Sequence, residues 1–291
     1  MGYGDSLMAV GEARRMQVAD PQARKVAIGD GVRVKWDAEV FRGNPRLASQ
    51  EDVRRAGVPG SGPGIQWLIE GSGHRPYIDY EATLALGRAA LGGKAADWKR
   101  TLNASPRWVW KDRGPARPGE LWFDAGEQAI TRRYATGSPL VVIEPTLKAR
   151  ASPNKQWGWE RWQALADELN RRGACLVQIG PAGVRRLAGV PHLITASFRE
   201  ACAVLAGARA FVGNEGGLHH AAAALGVRGA VPFGGYISPR LTGYAIDDNF
   251  YVDDHAHPLG CGMRAPCAHC AAAMASISVG AVAGAVLKSL S

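Results

Sequence analysis

Phe211-Val212-Gly213-Asn214-Glu215-Gly216-Gly217-Leu218-His219-His220-Ala221-Ala222-Ala223-Ala224-Leu225-Gly226 is the stretch on which the reading of this chain turns. It reads as a short apolar strand, a turn holding three glycines, and an alanine-rich helix closed by Gly226. Glycine lets a backbone approach a ligand closely. A helix beginning there would aim its unpaired N–H groups and positive dipole end at the same spot, which suits a diphosphate. Glu215, His219 and His220 crowd into the same turn, at the carboxyl end of a strand, where open α/β sheets bind ligands. The dinucleotide pattern Gly-x-Gly-x-x-Gly is absent here.

The rhythm around this stretch is strand, helix, strand, helix. Leu140-Val141-Val142-Ile143 and Cys175-Leu176-Val177-Gln178-Ile179 are apolar runs of buried-strand length, and residues 160–172 form a helix between them ended by Gly173. Residues 229–235 give a further strand ending in glycines, and residues 279–290 a last helix. Short links between such elements argue for a parallel sheet covered on both faces. The first half is less regular. Residues 25–31 and 66–71 read as strands, 81–91 and 125–134 as helices, and 107–111 and 120–123 as short aromatic strands. Residues 57–64 read as a flexible connection, and 136–139 as the link into the second half. Trp108 and Trp110, beside basic residues, suit either stacking on a base or sugar or plain packing, and packing is the expectation.

Composition bounds the function classes. The chain has 291 residues, 46% apolar and 21% charged, enough for two moderate domains. No run of 18 apolar residues occurs, and residues 1–10 lack the basic start of a secretory signal. Net charge is +9, with 23 basic against 17 acidic side chains up to residue 150 and 12 against 9 after it. A basic first half suits an anionic membrane surface, a phosphorylated lipid sugar or nucleic acid, and equally scattered solvated charge. Five cysteines without an export signal imply a reducing compartment. The expected location is therefore the cytoplasm, with peripheral contact at the inner membrane allowed by the charge. Cys175 and Cys202 read as small core hydrophobes.

Three motifs carry a resemblance. The segment from Asn214 to Gly226 is similar to the Asp-Ser/Thr-Gly-x-x-His-x-Ala-Ala-Ala signature of family 9 glycosyltransferases, the heptosyltransferase-like group. Glu215 stands for the Asp, His220 for the His, and Gly216 for the Ser/Thr, which removes a hydroxyl. Gly4-Asp5-x-Leu7 resembles the Gly-Asp-x-Leu loop of that family, whose Asp is the catalytic base. Lys155-x-Trp157 resembles its Lys-x-Trp segment, whose Lys lies over the donor diphosphate. The three fall in family order over most of the chain. By its residues alone Asp5 is also a helix N-cap.

The resemblance implies an α/β protein of GT-B architecture, two Rossmann-like domains with parallel sheets facing a central cleft. Residues 1–137 would bind the acceptor, 138–276 the nucleotide sugar, and 277–291 would form a helix packing back toward the junction. It implies an inverting, metal-independent glycosyltransferase whose nucleotide-diphosphate sugar is a substrate, with no cofactor. Asp5 would be the base. Lys155 and the N–H groups of Gly216, Gly217 and Leu218 would hold the diphosphate, and Asn214, Glu215 and His220 would orient the donor. Gly234, Gly235 and Tyr236 would shape the other wall, with Ser238 near the nucleoside or sugar. The acceptor would be a bacterial surface glycan or lipid-linked saccharide. Two alternatives stay open: a phage-type enzyme acting on hydroxymethylated bases in DNA, and a non-catalytic nucleotide-sugar or glycan-binding protein. Oligomeric state is not readable.

One further segment stands apart. Cys261-x5-Cys267-x2-Cys270, flanked by His255, His257 and His269, offers three thiolates and an imidazole, a set that suits tetrahedral zinc. The spacing lacks two Cys-x2-Cys pairs, so the expectation is reduced cysteines in a loop and no metal.

Overall fold

The computed structural model describes residues 2–35, 38–57, 64–69, 75–135, 139–148, 151–253 and 255–291. The later half is one six-stranded parallel sheet: β3 (Leu140–Glu144), β4 (Cys175–Gly180), β5 (His192–Ile194), β6 (Ala210–Gly213), β7 (Arg228–Gly234) and β8 (Asp248–Tyr251). Their spatial order is β5-β4-β3-β6-β7-β8. The chain therefore runs outward one way from β3, returns, and runs outward the other way from β6. The reversal leaves a crevice beyond the carboxyl ends of β3 and β6, where Glu144 and Gly213 are register partners.

Two apolar layers sandwich this sheet. On one side lie α6 (Trp159–Arg171) and α11 (Val279–Leu290). Trp162, Leu165, Ala166 and Leu169 recur on one stripe of α6 and are buried with Val282, Ala283 and Val286 of α11. Each leucine or valine among them contributes about 1.5–3 kcal/mol on full burial. Gly158, at φ +102, turns the chain into α6. On the other side lie α7 (Phe198–Ala206) and α8 (Gly217–Ala224), and there the core draws in Leu7 and Val40 from the first half.

The first half is smaller and less regular. Its opening helix α1 (Tyr3–Ala19) packs along α8 and over β1 (Val26–Gly29), which pairs in parallel with β2 (Gln66–Ile69). Among the described residues these two strands are its whole sheet. Four helices follow as α2 (Gln50–Ala56), α3 (Tyr80–Ala90), α4 (Trp98–Ala104) and α5 (Ala125–Tyr134). The aromatic segments expected as strands are not strands. Trp110 and Arg107 form only isolated bridges to Ile78 and Met263, and residues 120–123 run as irregular backbone. Trp108 and Trp110 pack between the lobes instead of alternating across a sheet, while Trp122 is exposed. Most of the flexible connection expected at 57–64 and of the link at 136–139 lies outside the described residues.

A buried ion pair ties the lobes. Arg199 of α7, 1% exposed, sends Nε and Nη2 to Glu127 of α5 at 2.6 Å each, while Arg42 reaches the same carboxylate. The Arg199 hydrogen bonds, then backbone capping at Asp124, lower the Glu127 carboxyl to about 2. Among the described residues no single helix is long and apolar enough to cross a membrane. Cys202 is buried as expected, but Cys175, at the edge where β4 begins, is exposed.

Candidate active site

A cavity of about 1270 Å³ opens over the crevice between β3 and β6. Asp5, Lys155, Asn214, Glu215, Gly216, Gly217, Leu218, His220 and Tyr236 all line it. Its floor is the first turn of α8. Gly216 is the N-cap with extended backbone and offers no side-chain cap, so the N–H groups behind it remain open to a ligand. An added Cβ at Gly216 would meet nothing nearer than the Asn214 carbonyl at 3.9 Å, so close packing does not require a glycine there.

Asp5 is not an N-cap. It sits in the first turn of α1, where Gly2 is the cap and makes no side-chain bond. Its carboxylate is instead gripped from a neighbouring loop. Arg75 Nε and Nη2 donate to Oδ2 at 2.9 and 2.8 Å, and the Tyr77 hydroxyl donates to Oδ1 at 3.0 Å. Burial works against the Arg75 charge, yet Asp5 holds its guanidinium above the ordinary value. Burial and Asp5 together push the Tyr77 hydroxyl well up, so it stays a donor. Arg75 and Tyr77 were missed in the sequence because nothing local links a His-Arg-Pro-Tyr loop to a carboxylate seventy positions earlier.

Lys155 and Glu215 form a direct ion pair, and Lys155 Nζ also lies 5.4 Å from the Tyr236 ring centre. Burial opposes both charges. The Lys155 ammonium and His220 still outweigh it and hold the Glu215 carboxyl well below the usual range, while Glu215 raises Lys155. His220 is buried; its Nδ1 lies 2.7 Å from the Tyr244 hydroxyl and its Nε2 3.5 Å from Glu215 Oε1. Burial lowers its pKa, so the ring is neutral near pH 7. A carboxylate only accepts, which places the ring proton on Nε2 and makes Nδ1 the acceptor of the tyrosine hydroxyl. His219, fully buried, pairs with Asp247 at 3.1 Å and does not line the cavity, yet one of its ring nitrogens lies within 4.8 Å of ligand atoms of Glu215 and His220.

Two more polar groups complete the wall. Asn214 is 1% exposed, and neither atom of its side-chain amide has a hydrogen-bond partner among the described residues. A buried amide in that state calls for a ligand or water partner. Glu144, at the end of β3, is raised by burial to about 8 and so carries a proton at neutral pH. Tyr3 stacks on Phe198 with ring centres 4.1 Å apart at the cavity edge. Trp108 and Trp110 also line the cavity, Trp108 under Arg264 and Trp110 edge-on to Tyr236, with its Nε1 donating to the Tyr236 carbonyl at 3.1 Å.

Gly234 and Gly235, expected on the donor wall, are not among the lining residues. A Cβ at Gly234 would strike the Met274 side chain at 2.8 Å, and one at Gly235 would strike His269 at 2.5 Å. They are glycines because helix α10 (Ala268–Ser276) packs directly behind them. Ser238 likewise caps the short helix α9 (Pro239–Thr242) instead of facing the cavity.

A Rossmann-ordered sheet, facing a smaller α/β lobe across a cleft floored by a helix N-terminus, is the arrangement of a GT-B glycosyltransferase. Comparison with known proteins agrees. The structure matches Escherichia coli ADP-heptose LPS heptosyltransferase II with a TM-score of 0.54 at 15% identity, covering 99% of this chain and 96% of that one. It matches a family 9 glycosyl transferase from Veillonella parvula with a TM-score of 0.57 at 13% identity, covering 100% and 94%. No curated protein matches by sequence. Residues 109–249 match the model of glycosyltransferase family 9 (heptosyltransferase). Over that segment the chain is similar to heptosyltransferase-like glycosyltransferases of family 9, and over its whole described length it shares their GT-B fold.

Proposed function

We propose that this enzyme transfers a sugar, with inversion and without a catalytic metal, from a nucleotide-diphosphate donor to a hydroxyl of a bacterial surface glycan or lipid-linked saccharide. The observation that carries the reading is the shared cavity: an oriented carboxylate, an ammonium and a helix N-terminus converge on one space. Asp5 takes the proton from the acceptor hydroxyl as its oxygen attacks the anomeric carbon. The bond from that carbon to the diphosphate oxygen breaks, and the electron pair leaves with the nucleoside diphosphate. One in-line displacement inverts the centre. Lys155 and the backbone N–H groups of Gly216, Gly217 and Leu218 take up the charge that develops on the leaving group. A fixed ammonium and helix end in a buried site serve the purpose that a divalent ion serves elsewhere. The neutral His220 keeps Glu215 engaged, so the pocket does not set a loose carboxylate against the diphosphate.

Arg75 and Tyr77 act on the other side, holding Asp5 so that one oxygen lone pair faces the acceptor. The unpartnered Asn214 amide supplies donor and acceptor groups to the sugar nucleotide. Domain roles follow: residues 1–137 present the acceptor and 138–276 hold the donor. Localisation is proposed as cytoplasmic, with the basic charge bringing the protein to an anionic membrane face. The test is a panel of nucleotide sugars screened by thermal shift, followed by nucleoside diphosphate release with candidate glycan acceptors in EDTA. Stabilisation by one nucleotide family and EDTA-resistant turnover support the reading. Turnover that vanishes with EDTA and returns with a divalent ion would remove its metal-independent part.

A further inference from the structure

Behind the Tyr236 wall four metal-ligating side chains meet. Cys261, Cys267, His269 and Cys270 each offer one ligand atom, and these atoms all lie within 4.8 Å of one another. The Cys261 and Cys270 sulfurs are 3.1 Å apart, and Cys270 Sγ is 3.9 Å from His269 Nδ1. Zn–S bonds of about 2.3 Å in a tetrahedron put ligand atoms roughly 3.7 Å apart, a spacing these distances bracket. A disulfide would use two of the four groups and give no reason for the other two to converge.

The backbone holds this arrangement from outside. Cys261 lies between Gly260 and Gly262, both in the left-handed region at φ +99 and +64, so the chain doubles back to aim its thiol inward. Cys261 N donates to the Gly235 carbonyl at 3.0 Å and Gly262 N to that of Tyr236 at 3.1 Å. Cys267 is the N-cap of α10, whose first turn presents His269 and Cys270 on the same side. Asn154, 5% exposed, clamps the intervening loop. Its Nδ2 donates to the carbonyls of Met263 and Ala265 at 2.7 and 2.8 Å, and its Oδ1 accepts from Cys267 N at 2.9 Å. Such outer contacts orient ligands in metal sites.

We propose that Cys261, Cys267, His269 and Cys270 bind one structural zinc ion with all four coordination positions filled by protein. The ion fixes the loop at 260–267 that backs Tyr236, and through Asn154 it fixes the segment carrying Lys155. It takes no part in transfer chemistry, having no open position for water or substrate. The site stands whether or not the donor assignment above is right, because its readout is metal content.

The test uses tag-free protein purified under reducing conditions from zinc-supplemented medium. Elemental analysis is expected to give one zinc per chain. Cys267→Ser and Cys270→Ser should hold far less and melt several degrees lower, whereas Cys175→Ser should match the wild type. Should those variants fail to fold, the unaltered protein still decides. Removal of its metal by a chelator and refilling with cobalt(II) should give the visible spectrum of a tetrahedral thiolate site. Folded protein that carries no metal and does not change its melting temperature on zinc addition would overturn the proposal. So would stoichiometric iron in place of zinc, or a Cys261–Cys270 disulfide in the mapped peptides.

Discussion

Gly4 of the opening helix and His220 of α8 are in contact. A Cβ at position 4 would come within 2.9 Å of the imidazole Nε2 and nearer still to the ring carbon beside it. The ring can neither retreat, being held by the Tyr244 hydroxyl, nor rotate without leaving Glu215. Gly4→Ala is therefore expected to cost about 1–3 kcal/mol, the usual range for overpacking. It should also weaken nucleoside diphosphate binding, because His220 moves off Glu215 and frees a carboxylate in the pocket. Chemical denaturation and calorimetric titration measure the two effects. A variant with unchanged midpoint and affinity would contradict the contact.

Gly216 is the opposite kind of glycine. Its backbone is extended and space stands where a side chain would go. Gly216→Ser should leave stability within about 0.5 kcal/mol of the parent. The restored hydroxyl adds one hydrogen bond to phosphate, worth about 0.5–1.5 kcal/mol net, or roughly a two- to twelvefold gain in affinity for nucleoside diphosphate. Weaker binding by the serine variant would place the diphosphate somewhere other than the α8 N-terminus.

The proposed mechanism makes Asp5 the base and Arg75 a positioning residue, and substitutions separate the two roles. Asp5→Asn should lower kcat by about 10²–10⁴-fold, the contribution of a positioned general base, while donor binding stays close to that of the parent. Arg75→Ala should lower kcat less than Asp5→Asn, and Arg75→Lys should recover part of the loss by restoring charge without the two-pronged grip. Single-turnover rates and donor titrations with each variant make the comparison. Donor binding that collapses with Asp5→Asn would move Asp5 out of the acceptor side.

Glu144 gives the pocket a pH dependence. Its folded-state value of about 8 lies above the ordinary 4.5, so below pH 8 it is neutral and donates a hydrogen bond. As pH rises through 8 it ionises, which puts a negative charge on the wall of the cavity proposed to hold the diphosphate. Donor affinity should fall several-fold between pH 7 and 9, and Glu144→Gln should flatten that fall. The same shift sets a stability trend. The folded state keeps a proton that the unfolded chain has lost, so this group destabilises increasingly from pH 4.5 to about 8 and then no further. Glu144→Gln should gain stability relative to the parent over that interval.

How much of this was legible beforehand follows from where the information sits. The later half announced itself because β3, β4 and β6 are continuous apolar runs, and α6 carries its buried residues at helical spacing. The glycine turn before α8 was readable because backbone approach and helix polarity are local properties. The partners of Asp5 were not, since Arg75 and Tyr77 meet it only through tertiary packing. Gly234 and Gly235 misled for a related reason: a glycine required by packing against α10 looks the same in sequence as one required by a ligand. The tryptophans near 108–110 resembled strand residues because aromatic packing between lobes has no periodicity of its own.

The Arg199–Glu127 pair, which was also invisible in sequence, sets how the lobes stay joined. Arg199 spends its remaining N–H groups on the carbonyls of Glu39 and Trp122, at 3.0 and 2.6 Å, so one guanidinium fastens three segments of the first half to α7. Breaking a buried pair costs about 3–5 kcal/mol when the remaining charge is left bare. Loss of Arg199 leaves Glu127 only the largely exposed Arg42, so the cost is expected near the lower end of that range. Arg199→Ala should therefore unfold far more readily than Arg42→Ala, because Arg42 is largely exposed and its loss leaves Glu127 paired. The acid limb carries the same signature. The folded-state value of Glu127 is about 2 against an ordinary 4.5, so its stabilising contribution is complete above pH 4.5 and is lost as pH falls toward 2. Acid unfolding of the parent should show that loss between pH 5 and 2, and Glu127→Gln should lack it. If Arg199→Ala melts within a degree of the parent, the lobes are held by the shared apolar core around Leu7 and Val40 instead, and the ion pair only sets their register.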